Sequence, residues 1–138
     1  MRVAVVYAPS DNGEALASLA QAMTRGLLAK GWMVDMNEAK PGEVNRLTGY
    51  DYVIIGTEGS GLGGKIPKRV NDFLAQAGSL QGKRSMAFVR KRGLFSAKAL
   101  RRLMSAMEAE GMIVNDASVV AGPDEALEVA RDAPIERN

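Results

Sequence analysis

The chain has 138 residues, 46% of them apolar and 25% charged, which suits one globular domain with a sizeable core. It contains no cysteine and no histidine, which excludes disulfides, thiolate and imidazole metal ligands, and any serine–histidine–aspartate triad. The formal net charge of +2 conceals a division: the interval between Asp72 and Glu108 has no acidic residue but holds Lys83, Arg84, Arg90, Lys91, Arg92, Lys98, Arg101 and Arg102, whereas the chain from Glu108 onward carries eight acidic residues against Arg131 and Arg137. One region of the surface is therefore expected to be basic and another acidic.

In chain order, Arg2–Tyr7 reads as a buried strand. A loop, Ala8–Gly13, leads into a helix over Gly13–Lys30 that puts Leu16, Leu19, Ala20, Met23, Leu27 and Leu28 on one face, with Asp11 or Asn12 as N-cap and Gly31 as the stop. Trp32–Met36 is a short alternating strand, and Pro41–Thr48 a short, weak helix or helical turn. Tyr52–Gly56 is an apolar strand that empties into a loop rich in glycine, and Pro67–Ala77 is a helix stopped by Gly78. Ser85–Val89 is a fourth strand, followed by the basic loop Arg90-Lys91-Arg92-Gly93. Ala97–Glu110 is a helix with Leu100, Leu103, Met104 and Met107 on one face; Ile113–Val120 is a fifth strand, and Pro123–Asp132 a last helix with proline in its first turn. Residues 1–132 thus read as one domain and 133–138 as a frayed tail or linker stub. The eight methionines read as core filler.

Strands alternating with helices in five units give a parallel sheet covered on both faces, and such sheets bind ligands outside the carboxyl ends of their strands. No apolar run approaches the roughly 20 residues of a membrane span, and the chain enters its first strand without a charged leader, so a cytoplasmic location with no membrane contact is expected. No carboxylate spacing suggests a metal site. Gly59-x-x-x-x-Gly64-Lys65 matches most of a phosphate-binding P-loop, but Ile66 replaces the serine or threonine that would hold magnesium, and Pro67 interrupts the helix entry. The basic stretch lacks the interleaved aromatics or recognition helix of a nucleic-acid binder.

Several local sequences carry a resemblance. Leu80-Gln81-Gly82-Lys83 before Ser85–Val89, Gly56-Thr57 followed by Gly63-Gly64-Lys65-Ile66-Pro67 and Phe73-Leu74, and Val3–Tyr7 running into a Ser/Asn/Gly loop and a long helix together resemble the flavodoxin-like family over nearly the whole chain. The resemblance implies an α/β three-layer sandwich with a five-stranded parallel sheet of order 2-1-3-4-5. It implies non-covalent binding of flavin mononucleotide (FMN) between three loops, and electron transfer to a redox partner protein or an FMN-dependent reductase activity. On this reading Ser10, Asn12 and Gly13 stand at the phosphate, and Thr57, Glu58, Gly59, Ser60 and Gly61 meet the ring edge. Arg90 and Lys91 lie near its pyrimidine end, and Phe95 is the aromatic placed to stack, unless it plugs the core under the loop. No catalytic side chain is implied.

Two departures from the family pattern bear on the ligand. The first loop reads Ala8-Pro9-Ser10-Asp11-Asn12-Gly13-Glu14, with one hydroxyl, a proline that has no N–H to donate, and two acids. Aligned without gaps, Asp11 and Glu14 fall on the family's two threonine positions and would repel a phosphate. With a one-residue deletion, Ser10 takes the first threonine, Asn12 the asparagine, and Glu14 lies outside the cradle. The second loop lacks the aromatic that often stacks on the ring. The cations of the third loop imply an acidic face on the partner. The alternative is a module of the same fold that has lost flavin and uses its basic third loop for an anionic ligand or acidic partner. Monomer and homodimer both stay open.

Overall fold

The computed structural model describes residues 1–40, 46–60 and 63–136. Its elements are β1 (Arg2–Ala8), α1 (Glu14–Ala29), β2 (Met33–Glu38), β3 (Tyr52–Thr57), α2 (Lys68–Gln76), β4 (Arg84–Arg90), a short 3-10 turn (Gly93–Phe95), α3 (Ser96–Ala109), β5 (Ile113–Val120) and α4 (Pro123–Asp132). The strands form one parallel sheet in the order β2-β1-β3-β4-β5. This is the α/β architecture and strand order expected from the sequence.

Burial follows position in the sheet. β3 lies at its centre and every one of its residues is buried, as a parallel strand covered on both faces requires. The edge strand β2 alternates, with Met33, Asp35 and Asn37 exposed, and polar side chains on an edge discourage further strand pairing. Alternate residues feed two cores. Val3, Val5, Ile54, Met86 and Phe88 pack beneath α1 and α4 through Leu16, Leu19, Met23, Leu27, Ala126 and Ala130. Ala4, Val6, Val53, Ile55, Ala87 and Val89 pack beneath α2 and α3 through Val70, Phe73, Leu74, Ala99, Leu103 and Met107. Met23, Met86 and Met107 are fully buried, as filler.

Two local expectations differ from the structure, and a third falls mostly outside the described residues. The helix after the first loop is capped by Gly13, in the left-handed region at φ 80°, and by no side chain. Asp11 and Asn12 are spent one step earlier, their side-chain oxygens accepting the N–H groups of Gly13 (3.3 Å) and Glu14 (3.2 Å) to build the turn. Of the helix expected over Pro41–Thr48, residues 41–45 lie outside the described residues, and Arg46–Thr48 are not helical. After α4 the chain is not frayed through Ile135: Ala133 and Ile135 are buried in the core under α1 and α4, where their apolar side chains leave water.

Candidate functional site

The register brings three loops to one level. Ala8 pairs with Thr57 and Thr57 with Val89, so the first loop, the second loop starting at Glu58, and the third loop starting at Lys91 leave the sheet's carboxyl edge side by side. Thr57 ties the first two together: its buried hydroxyl donates to the carbonyl of Ala8 at 2.6 Å. That bond faces inward, so Thr57 shapes the loops from below.

The centre of the edge is a carboxylate. Glu58 is 1% exposed and is held by residues of both flanking loops. Its Oε1 accepts from Arg90 Nε at 2.7 Å, Arg92 Nη1 stands 3.8 Å from the same oxygen, and its Oε2 accepts the backbone N–H of Ser10 at 3.2 Å. A buried carboxylate survives only with such compensation. Arg92 continues outward, donating to Ser10 Oγ at 2.9 Å and pairing with Asp11 Oδ2 at 3.3 Å. Ser96 Oγ in turn accepts the Arg92 N–H at 2.8 Å and fixes the base of that loop. Two carboxylates and two guanidinium groups thus bolt the three loops together with their charges balanced.

The first loop has no open concavity. Pro9 is buried, and its Cγ lies 2.8 Å from where a Cβ on Gly13 would stand, so the proline ring fills the inside of the turn and only glycine fits opposite it. The N–H groups of Ser10, Gly13 and Glu14 already donate to Glu58, Asp11 and Asn12. These are among the donors a phosphate at the start of α1 would ask for.

The second and third loops do enclose space. A cleft of about 430 Å³ lies between Gly59 and Gly64 on one side and Arg92, Gly93, Leu94, Phe95 and Ser96 on the other. Its size falls in the usual range for small-molecule sites, about 300–1,000 Å³. Gly64, at φ 74°, lets its loop lie against α3: a Cβ there would stand 2.9 Å from Lys98 Cβ. Phe95 is 41% exposed on the cleft wall and Leu94 is 94% exposed at its rim. Phe95 is therefore not a core plug. Arg92 lines the cleft and reaches across to Ser10 and Asp11, closing its path toward the first loop.

Of the residues singled out in the sequence, Gly59 and Phe95 line the cleft. Ser10, Asn12 and Gly13 belong to the closed first loop, and Glu58 and Arg90 are paired with each other. Ser60 is turned to its own loop, its N–H donating to the Lys65 carbonyl at 2.7 Å. Lys91 is exposed, and its N–H donates to the Val120 carbonyl at 2.8 Å. Gly61 lies outside the described residues. Arg92, Gly64 and Ser96 are additions; the sequence signal for Arg92 was its place in a run of three cations, which does not say which one turns inward. Among the described residues no group of histidine, cysteine, aspartate or glutamate side chains could hold a metal ion, and no helix is long and apolar enough to cross a membrane.

No protein-family model matches the chain, and no curated protein matches it in sequence. Solved structures do. Oxidised flavodoxin 1 of Bacillus cereus is similar with a TM-score of 0.75 at 17% identity, over 94% of this chain and 95% of that one. A flavodoxin from the domain Archaea gives 0.74 at 21% identity, over 99% and 95%, and the two-electron-reduced flavodoxin of Megasphaera elsdenii 0.73 at 20%, over 94% and 96%. The chain has the flavodoxin-like fold.

Whether an FMN would fit divides along the site. The cleft suits a flat ring, with glycine backbone on one wall and an aromatic side chain on the other. The first loop suits a phosphate poorly, because Asp11, Asn12 and Glu58 hold three of its N–H donors and two of these side chains are carboxylates.

Proposed function

We propose that this domain is a flavodoxin-like redox module that holds a flavin non-covalently by its ring in the cleft and exchanges electrons with a partner protein. The observation that carries this reading is the cleft itself: an open, glycine-walled slot at the carboxyl ends of β3 and β4, with Phe95 exposed on its side. A bound flavin supplies one- and two-electron chemistry that no side chain here provides. The chain's contribution is to position the ring against Phe95 and to exclude water on the side of Gly59 and Gly64. Arg92 lines the cleft with its charge already balanced by Asp11 and Glu58, so it presents guanidinium N–H donors more than net charge to a ligand. The similar structures support a redox role, two of them being described by oxidation state. The interaction-module alternative is not favoured, because losing the ligand gives no reason for the cleft to stay open beside an exposed aromatic.

The partner is expected to present an acidic face. Lys91, Lys98, Arg101 and Arg102 are exposed around the cleft and along α3, with no ion-pair partner among the described residues. The exposed Leu94 beside them gives an apolar contact inside a basic rim. Absorbance and fluorescence titration with FMN, FAD and riboflavin tests the reading. Binding of at least one flavin with a micromolar dissociation constant, about −8 kcal/mol, is the expected result. If none of the three binds, the redox reading is wrong.

A further inference from the structure

We propose that the first loop is filled from within, so that this domain recognises a flavin by its ring and takes no affinity from a terminal phosphate, and that Asp11 is the residue that sets this preference. Three groups of the chain occupy what an anion would use. The Pro9 ring lies inside the turn against Gly13. The Glu58 carboxylate accepts the Ser10 N–H, and the Asp11 carboxylate accepts the Gly13 N–H while pairing with Arg92 at 3.3 Å. Helix α1 begins at Glu14, one more negative charge in the first turn, where a phosphate would otherwise meet the positive end of the helix dipole. The Asp11–Arg92–Ser10 contact also stands between the cleft and this loop. A phosphate arriving there has to displace a carboxylate from a guanidinium and repel another at Glu14, one anion exchanged for another with no net gain.

Asp11→Asn isolates this role. Asparagine keeps the oxygen that accepts the Gly13 N–H, and so the turn, but it takes the counter-charge from Arg92. That leaves the Arg92 guanidinium and the Ser10 hydroxyl without the Asp11 carboxylate, with Glu14 still in the first turn of the helix. The flavin arm of the test rests on the function proposed above; the phosphate arm does not.

In the flavin arm, the wild-type chain should bind FMN and riboflavin within about threefold of each other, and Asp11→Asn should bind FMN at least about tenfold tighter relative to riboflavin, a guanidinium–phosphate pair being a strong charge-assisted contact. Adding Arg92→Gln to Asp11→Asn should remove that gain. A wild-type preference for FMN of tenfold or more overturns the proposal, as does an Asp11→Asn variant with the wild-type ratio. In the phosphate arm, thermal midpoints are compared in chloride and in inorganic phosphate at equal ionic strength, since a ligand of the folded state raises the midpoint. Asp11→Asn should be stabilised by phosphate beyond both the wild type and the Asp11→Asn/Arg92→Gln double variant, which correct for the general effect of the salt on burial. Equal responses in all three overturn the proposal. If no flavin binds any variant, the redox reading falls while the phosphate arm still decides this one.

Discussion

The first loop and the cleft stand at the same sheet edge, and both include glycine, yet they are opposites. In the first loop, the Pro9 ring fills the inside of the turn, and Glu58, Asp11 and Asn12 hold the N–H groups of Ser10, Gly13 and Glu14. Between the second and third loops, glycines without side chains line an open cleft, and an aromatic ring is left partly exposed on its wall. The two are coupled through Glu58 and Arg92, which touch both. The lesson is that a fold's ligand-bearing edge is not one site that is either kept or lost. Its parts answer to separate residues, and one part can be closed while its neighbour stays open.

The coupling is where the comparison breaks most readily. Glu58→Ala removes the acceptor of Arg90 and of the Ser10 N–H at once. Arg90 keeps a side-chain exposure of 23%, so part of its stranded charge can be hydrated. The loss of stability should therefore fall near the lower end for a broken buried pair, about 2–4 kcal/mol by denaturant melt. Glu58→Gln keeps size and an acceptor and should lose less. If Glu58→Ala melts like the wild type, the carboxylate does not bolt the loops, and the contrast between closed and open regions loses its physical basis.

A second test addresses the outer rim, which belongs to the open region alone. Reversing Lys98, Arg101 and Arg102 together to glutamate should slow oxidation of the reduced, flavin-loaded protein by ferricyanide at low salt by about tenfold, and speed its oxidation by hexaammineruthenium. Added salt should erase both differences. Rates that ignore the sign of the acceptor would mean that these cations do not face the electron-transfer edge.

Smaller still is the effect of the cleft's aromatic. Phe95→Ala should weaken flavin binding about fivefold, near 1 kcal/mol, through loss of a stacking surface. Because Phe95 is 41% exposed, the melt should hardly move. A variant that loses stability and keeps its affinity would make Phe95 a packing residue after all, and would remove the feature that distinguishes the cleft.

These regions differed in how far their residues could be read in advance. The strands and the last helix were legible because each is a local pattern: Val53–Gly56 is an unbroken apolar run, Ile113–Val120 begins and ends on β-branched residues, and proline opens the helix Pro123–Asp132. The first loop's departure from the family pattern was legible in Pro9, Asp11 and Glu14, but one of two alignments still left Ser10 and Asn12 to hold a phosphate. The pairing of Glu58 with Arg90 and Ser10 was not, because it joins residues 32 and 48 positions apart, brought together only by sheet register. Glu58 and Arg90 were singled out for a ligand, and the fold gives each to the other. The N-cap was misplaced for a related reason. Asp11 and Asn12 have the right chemistry for a cap, but two Asx turns in succession consume it before the helix begins.

The weakest effect expected on the site comes from the opposite end of the sheet, and it tests whether the contrast is local to the carboxyl edge. Tyr52 begins β3, is fully buried, and donates its hydroxyl to Asn115 Oδ1 at 2.6 Å. Burial first, and then the negative charge of Asp116, push its phenol well above the usual value, with Arg84 opposing. In the unfolded chain the phenol ionises from about pH 10 upward, while the folded chain keeps it protonated. The stability Tyr52 contributes is therefore fully present below about pH 10 and is lost as pH rises beyond it. Tyr7, through burial and Glu38, and Tyr50, through its hydrogen bond to Asp35, shift in the same direction. Tyr52→Phe should lower stability at neutral pH by about 1 kcal/mol, the worth of one buried hydrogen bond, and should flatten the alkaline limb of a stability–pH profile without abolishing it. Flavin affinity should stay at the wild-type value. A change in affinity from a residue at the amino end would mean that the openness of the cleft is set through the whole of β3 and not by the loops, and the account of two separately governed regions would have to give way to one of a single strained strand.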